Sequence, residues 1–310
     1  MKKFIITVDT EGDNLWNWNP GQPITTNNAK FIPRFQELCE NYSFYPVYLT
    51  NLEMVQSKEF QKYIGKKAQE GKCEIGMHLH AWNTPPIVEK KQRYGGLPYI
   101  TEYSEQIIYE KHHYLKTEIE KSLDVSPKTY RAGRWATNNE LFKVLDKLGF
   151  IADCSVTPGI SWENCPGSTV DGGNDYRSFL NKAYCLTDTM VEVPLTSKKV
   201  HCLYGKTLKS IVKNILIGVE GNLRPATSSL ELMMRLTRKI EGEKNDYLEF
   251  MLHSSELMPG GNPYFRNEND IEEMYKGMEA YFKWIAGKDY EGIMLKDYAQ
   301  LFLNQRRRQE

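Results

Sequence analysis

Apolar positions along the chain gather into short unbroken runs rather than long stripes. Eight stand out: Phe4–Val8, Phe44–Thr50, Cys73–Leu79, Thr129–Gly133, Phe150–Val156, Met190–Leu195, Tyr247–His253 and Gly292–Lys296. Runs of about four to eight residues bounded by polar turns read as strands buried on both faces. Between them the pattern changes to a helical period. The clearest case is Asn138–Leu148, where Leu141, Val144, Leu145 and Leu148 form one stripe. Thr137 stands in the cap position with Glu140 three residues on, and Gly149 closes the segment. Strands alternating with helices predict parallel strands joined by crossover helices, an α/β architecture.

Two stretches break the alternation. Trp82–Tyr103 and Pro158–Tyr184 are rich in Gly, Pro, Asn, Ser and aromatic residues and read as long loops. Both follow the C-terminal end of a predicted strand, where α/β barrels collect their chemistry. Residues 203–241 read as a helical insertion broken near Pro225. With no repeat, linker or low-complexity tract in view, the expectation is a single catalytic domain over residues 1–310.

Composition narrows the class. The 310 residues are 40% hydrophobic and 26% charged, as in ordinary globular chains, and 40 basic residues balance 40 acidic ones. Global charge therefore offers nothing to a nucleic acid, and the basic cluster Arg306–Arg308 reads as a solvated tail. The six cysteines form no CxxC pair, which argues against a zinc ribbon, and free thiols are expected. The apolar run before Asp9 is shorter than the roughly 7 to 15 residues of a signal h-region. No stretch is long enough for a membrane span, so a cytoplasmic, reducing setting is the simplest expectation. Nothing in the sequence sets the oligomeric state.

The chemistry sits at strand ends. Residues i and i+2 of a strand point to one face, about 6.6 to 6.8 Å apart. On that spacing His78 and His80 of "IGMHLH" converge, and so do Asp9 and Glu11 of "TVDTEGD". Two nitrogens and two carboxylates are the ligand types of a divalent transition-metal site, open to zinc, cobalt, nickel, manganese or iron. A His-x-His pair is more often structural, and carboxylates after a strand often cap a turn; two such pairs on separate strand ends make the metal more attractive. A third strand end carries His253, followed by Ser254, Ser255 and Glu256.

In this order, "TVDTEGD", "EIGMHLH", "YRAGRW" and "LHSSEL" resemble the motifs of the polysaccharide deacetylase family, also called the NodB-homology or carbohydrate esterase 4 family. The resemblance spans nearly the whole chain. It implies a distorted (β/α) barrel of about seven parallel strands, one divalent metal with zinc first among the candidates, and hydrolysis of an N-acetyl or related acyl group on a carbohydrate. Family members begin with two consecutive aspartates, a base and a metal ligand. Asp9 matches the first, but Thr10 stands at the second, so Glu11 takes the ligand role and Asp9 the base, with the reverse left open. The family's second motif is His-x-x-x-His; His78 matches the first histidine, Trp82 occupies the place of the second, and His80 substitutes as ligand. Arg131 matches the arginine that pairs with the base, although "RAGRW" lacks the motif's usual proline, and His253 matches the late histidine that acts as acid.

Around these, Trp82, Arg134, Trp135, Ser254 and Glu256 are the candidate substrate-binding residues, and a backbone N–H near Arg134 or Trp135 is the candidate for holding an oxyanion. Tyr94, Tyr99, Trp162 and Tyr176 add aromatic faces able to stack on a sugar or plug the local core. His112, His113 and His201 read as surface residues, and Arg224 as a helix-capping residue more than a contact for a substrate anion. Three rivals remain: a metal-dependent phosphoesterase, which usually needs more ligands; a glycoside hydrolase on paired carboxylates, which leaves His78 and His80 idle; and a noncatalytic sugar-binding protein on the same fold.

Overall fold

The computed structural model describes residues 1–17, 22–88, 97–165, 172–201 and 214–308. Eleven strands are present among them: β1 (Lys2–Thr10), β2 (Pro46–Thr50), β3 (Glu74–Leu79), β4 (Thr129–Ala132), β5 (Ala152–Asp153), β6 (Tyr184–Cys185), β7 (Val191–Glu192), β8 (Ser197–Val200), β9 (Val219–Asn222), β10 (Tyr247–His253) and β11 (Tyr290–Gly292). Nine form one curled sheet in the order β10-β1-β2-β3-β4-β5-β7-β6, with β11 beside the start of β1. The seven strands from β10 to β7 are all parallel; only β6 runs against its neighbour. This is the parallel α/β sheet that the runs predict, curled as the family resemblance implies, and seven of the eight runs contain a strand of that path. The eighth is displaced: β11 ends at Gly292, and Leu295 already begins the C-terminal helix.

Alternation along β1 divides the core. Phe4, Ile6 and Val8 face the surrounding helices and join the larger apolar cluster with Phe44, Phe250, Tyr281 and Phe282. Ile5 faces the barrel interior, with Val47, Leu49, Ala152, Val191 and Tyr247. The C-terminal helix Leu295–Arg307 plugs the lower end by inserting Leu295, Tyr298, Ala299 and Leu303 into that second cluster. The upper end of the barrel is left to polar groups. Arg306 and Arg307, expected in a loose tail, are the exposed last turn of this helix.

Several local expectations are corrected. The helix covers Asn139–Lys147, and its cap is Asn138, whose side chain accepts from the Leu141 N–H at 2.8 Å. Thr137 is unavailable because its hydroxyl is bonded to Tyr176 at 2.8 Å. Gly149 adopts φ +80°, the left-handed geometry that ends the helix. The expected helical insertion at 203–241 is only partly helical: β8 and β9 form an antiparallel ribbon, helix Leu230–Gly242 follows, and residues 202–213 lie outside the described set. No described helix is long and apolar enough to cross a membrane. Five cysteines are free thiols; Cys202 falls outside the described residues.

His113 is exposed, as the charged context suggests, but His112 is fully buried in helix Glu105–Leu123. Its Nδ1–H donates to the Ile108 carbonyl at 2.6 Å, and its Nε2 accepts from the Tyr130 hydroxyl at 3.0 Å. Burial pushes its pKa down to about 4. An unfolded histidine near 6.5 therefore takes a proton before the folded one does. The stability this neutral ring contributes is complete above about pH 6.5 and is lost as pH falls through about 4, up to roughly 3 kcal/mol. In thermal unfolding, His112→Gln should flatten the fall of Tm between those pH values; an unchanged slope would refute the assignment.

Candidate active site

The strand register brings the polar residues together. Asp9 lies opposite His253 across β1 and β10, and His78 lies opposite Arg131 across β3 and β4. Glu11 and His80 each follow the last residues of their strands on the same interior face. Thr10, between the two acids, points away; its hydroxyl donates to the Val8 carbonyl at 2.8 Å. Pleating thus excludes Thr10 and presents Glu11.

Glu11, His78 and His80 are all buried and offer one ligand atom each within 4.8 Å of one another. His78 donates from Nδ1 to the Arg131 carbonyl at 2.9 Å, which leaves the lone pair on Nε2, 3.5 Å from Glu11 Oε2. Donors bound at 2.0–2.1 Å to one tetrahedral ion stand about 3.3 Å apart, so this pair already has ligand spacing. His80 instead donates from Nε2 to Glu11 Oε2 at 2.6 Å, and its Nδ1 is buried with no hydrogen bond. Gly133 makes room for that ring: a Cβ there would come within 2.7 Å of His80 Nδ1 and 2.5 Å of the Leu79 carbonyl. Three convergent buried donors, one with its tautomer fixed from behind, fit a divalent metal.

Arg131 is fully buried and crosses the barrel interior from β4. It donates to Asp9 Oδ1 at 2.7 Å, to the Thr7 hydroxyl at 2.9 Å, to the Cys154 carbonyl at 3.0 Å, and to Glu249. Burial raises the pKa of Asp9, but Arg131, His78 and His253 outweigh it and hold the carboxyl below its ordinary value. Burial wins at Glu249, which is pushed up to about 7 although Arg131 is paired with it as well as with Asp9. Glu11 is likewise held well below its usual value, by its bonds to His78 and His80 against the cost of burial.

His253 completes the ring of groups. Its Nε2 lies 3.7 Å from Asp9 Oδ2 and 3.8 Å from Glu11 Oε1. Its Nδ1 stands between a donor, Arg224 Nη2 at 2.9 Å, and an acceptor, Glu256 Oε1 at 3.2 Å. A neutral ring accepts from Arg224; a protonated ring donates to Glu256. Arg224 is also paired with Glu256, so it caps no helix and contacts the late histidine instead. Only this tertiary contact reveals it.

A cleft of about 350 Å³ opens over these groups, within the range of small-ligand pockets. Trp82, Arg134 and Trp135 line it, and Trp16, which carries no periodic signal in the sequence, forms another wall. Trp16 donates to the Ser255 hydroxyl at 3.1 Å and meets the His253 ring edge-on. Ser254 and Glu256 do not reach the cleft. Both are fully buried, Ser254 Oγ bridging the Glu11 backbone and Asn28, and Glu256 lying behind His253. Tyr99 and Tyr176 are buried plugs, Trp162 stacks on Trp135 with rings 6.2 Å apart, and Tyr94 lies outside the described residues.

Arg134 and Trp135 both have left-handed backbone conformations, at φ 58° and 59°. Such residues cost on the order of 1–3 kcal/mol each and persist where their surroundings fix them. Here the Pro158–Tyr184 segment does so. Tyr176 donates to the Trp135 carbonyl at 2.6 Å, and the Asn174 side chain brackets Thr137 with bonds of 3.1 and 2.8 Å.

No family model matches the sequence, and no curated protein does. Solved structures do resemble the fold. A protein assigned as a polysaccharide deacetylase from Mycobacterium smegmatis superposes with a TM-score of 0.56 at 13% identity, over 98% of this chain and 92% of that one. The 4-alpha-glucanotransferase of Thermococcus litoralis gives 0.51 at 12% identity, over 96% of this chain and 40% of that one. A family 4 carbohydrate esterase from Streptomyces lividans gives 0.44 at 9% identity, over 95% and 93%. The chain has the curled, mostly parallel α/β half-barrel fold of the polysaccharide deacetylases, with a site that departs from their motifs at Thr10 and Trp82.

Proposed function

We propose that this chain is a metal-dependent hydrolase that removes an acyl group, with N-acetyl the expected one, from a carbohydrate. The observation that carries the reading is the convergence of Glu11, His78 and His80 within 4.8 Å on the floor of a cleft that also holds Asp9 and His253. A divalent ion held by Glu11, His78 and His80 would polarise the acyl carbonyl and acidify water.

The remaining work falls to the chain. Asp9, kept ionised by Arg131, takes the proton of the attacking water through Oδ2 while the water oxygen bonds to the acyl carbon. His253 in its charged form gives the Nε2 proton to the sugar nitrogen as the C–N bond breaks, with Glu256 accepting from Nδ1. Acetate and the free amine leave. The 3.7 Å between Asp9 Oδ2 and His253 Nε2 lets the captured proton return to the imidazole and reset both groups.

A glycoside hydrolase needs one carboxyl held protonated as the acid. In the cleft Asp9 Oδ1 accepts from Arg131 and Glu11 Oε2 faces both imidazoles, so neither carboxyl is placed to keep a proton, which favours acyl transfer over glycosyl transfer. The test is acetate release from N-acetylated glucosamine oligomers by protein loaded with zinc, cobalt, nickel, manganese or iron. Release that requires metal supports the reading. A protein that binds both metal and sugar yet releases none is the noncatalytic alternative.

A further inference from the structure

We propose that the Trp82 wall of the cleft is held in place by two buried ionisable residues, Lys111 and Glu53, and that both are positioning residues for sugar recognition. This rests on the carbohydrate reading above but concerns binding and not hydrolysis. Trp82 lines the cleft and packs on the His80 ring, with centroids 4.3 Å apart. The chain that follows it, Asn83–Pro86, belongs to no helix or strand. Pro85 and Pro86 have no N–H, so this turn has few donors with which to close on itself.

Its partners come instead from two helices. Lys111, fully buried in helix Glu105–Leu123, donates from Nζ to the Thr84 carbonyl at 2.6 Å and to the Pro86 carbonyl at 2.7 Å. The same ammonium lies 5.0 Å from the centre of the Tyr103 ring, whose hydroxyl accepts from the Leu97 N–H at 2.8 Å and donates to the Leu97 carbonyl at 3.1 Å. One cation therefore ties both described flanks of the Trp82–Tyr103 loop. Glu53, in helix Leu52–Gln56, accepts from the Asn83 side chain through Oε1, and its Oε2 is buried with no hydrogen bond. Both groups are costly to bury. Burial alone pushes the Lys111 pKa down to about 8, with no carboxylate among the described residues offsetting it. An apolar side chain would avoid that cost but would take these donors from the Thr84 and Pro86 carbonyls. The cost is concentrated behind one wall of the cleft, where an indole displaced by about 1 Å no longer meets a bound ring in the same way.

Calorimetry with the trimer of N-acetylglucosamine on metal-free protein tests this, because no turnover then enters. Lys111→Met should weaken binding about tenfold, and Asn83→Ala, which cuts the bond to Glu53, about threefold, as expected when a preorganised wall must instead be ordered on binding. Hydrogen exchange should rise at residues 81–84 in both variants while β1 and β10 stay protected, and zinc affinity should be nearly unchanged. Unchanged trimer affinity in either variant would overturn the inference. So would a loss of zinc affinity as large as the loss of sugar affinity, since the two residues would then hold the imidazole floor and not the wall. Each variant alone can refute the inference, so failure of one to fold does not protect it. If the variants bind the trimer as the unaltered protein does and zinc-loaded protein releases acetate, the inference falls and the hydrolase reading stands. If binding responds to the variants and no acetate is released, recognition stands and the hydrolase reading falls. An unaltered protein that binds no trimer overturns the carbohydrate reading and the inference with it.

Discussion

Asp9→Asn should lower kcat for acetate release by about a hundredfold to ten-thousandfold, the range for loss of a positioned general base. KM should change little, because the proposed base acts on the attacking water and not on the sugar frame. Zinc affinity should also be nearly unchanged, since the donors that converge are Glu11, His78 and His80. That combination separates the two carboxylates left interchangeable by the sequence. If Asp9→Asn removes the metal while Glu11→Gln leaves it bound, the roles are reversed. The structure favours the first assignment because Asp9 Oδ1 is occupied by Arg131, whereas Glu11 Oε2 faces both imidazoles.

The second large effect belongs to stability. Arg131→Met keeps much of the side-chain volume but leaves the buried Asp9 carboxylate without its cation, and it also strips donors from Thr7, Glu249 and the Cys154 carbonyl. Removing one partner of a buried pair costs about 3–5 kcal/mol, a large fraction of the total stability of a domain. Urea unfolding should show that loss at neutral pH. Because Arg131 lowers the Asp9 pKa, the stability it contributes is present above the ordinary carboxylate range and is lost as pH falls through the folded value. The deficit of Arg131→Met should therefore shrink on acidification. Any activity that remains should have its acid limb moved to higher pH, since the base now holds its proton longer. A deficit independent of pH would mean that Arg131 acts by packing alone.

The parallel sheet was legible because parallel strands buried on both faces must be nearly continuous apolar runs, and seven such runs found their places in it. Ligand convergence was legible for a similar reason: the period of two forces Asp9 with Glu11, and His78 with His80, onto shared faces. What the sequence concealed depends on contacts between distant segments. Arg224 sits in a proline-broken loop, and only the bond from the Met251 N–H of β10 to the Leu223 carbonyl, just after β9, brings it to His253. Trp16 lies in a one-turn 3-10 helix with no periodic signal. Ser254 and Glu256 follow a strand end and read as substrate-binding residues, yet the chain turns inward there and buries both. His112 had charged neighbours on a helix, but the helical period carries it to the face that meets Tyr130. The ribbon of β8 and β9 pairs segments too polar and too far apart in sequence to announce themselves.

Anomalous diffraction from a crystal soaked in zinc tests the central claim most directly. The account predicts one peak per chain, within bonding distance of a Glu11 carboxylate oxygen and of ring nitrogens of His78 and His80, about 2.0–2.2 Å from each. A saturating soak that leaves this position empty, or a peak held by other residues, would contradict it.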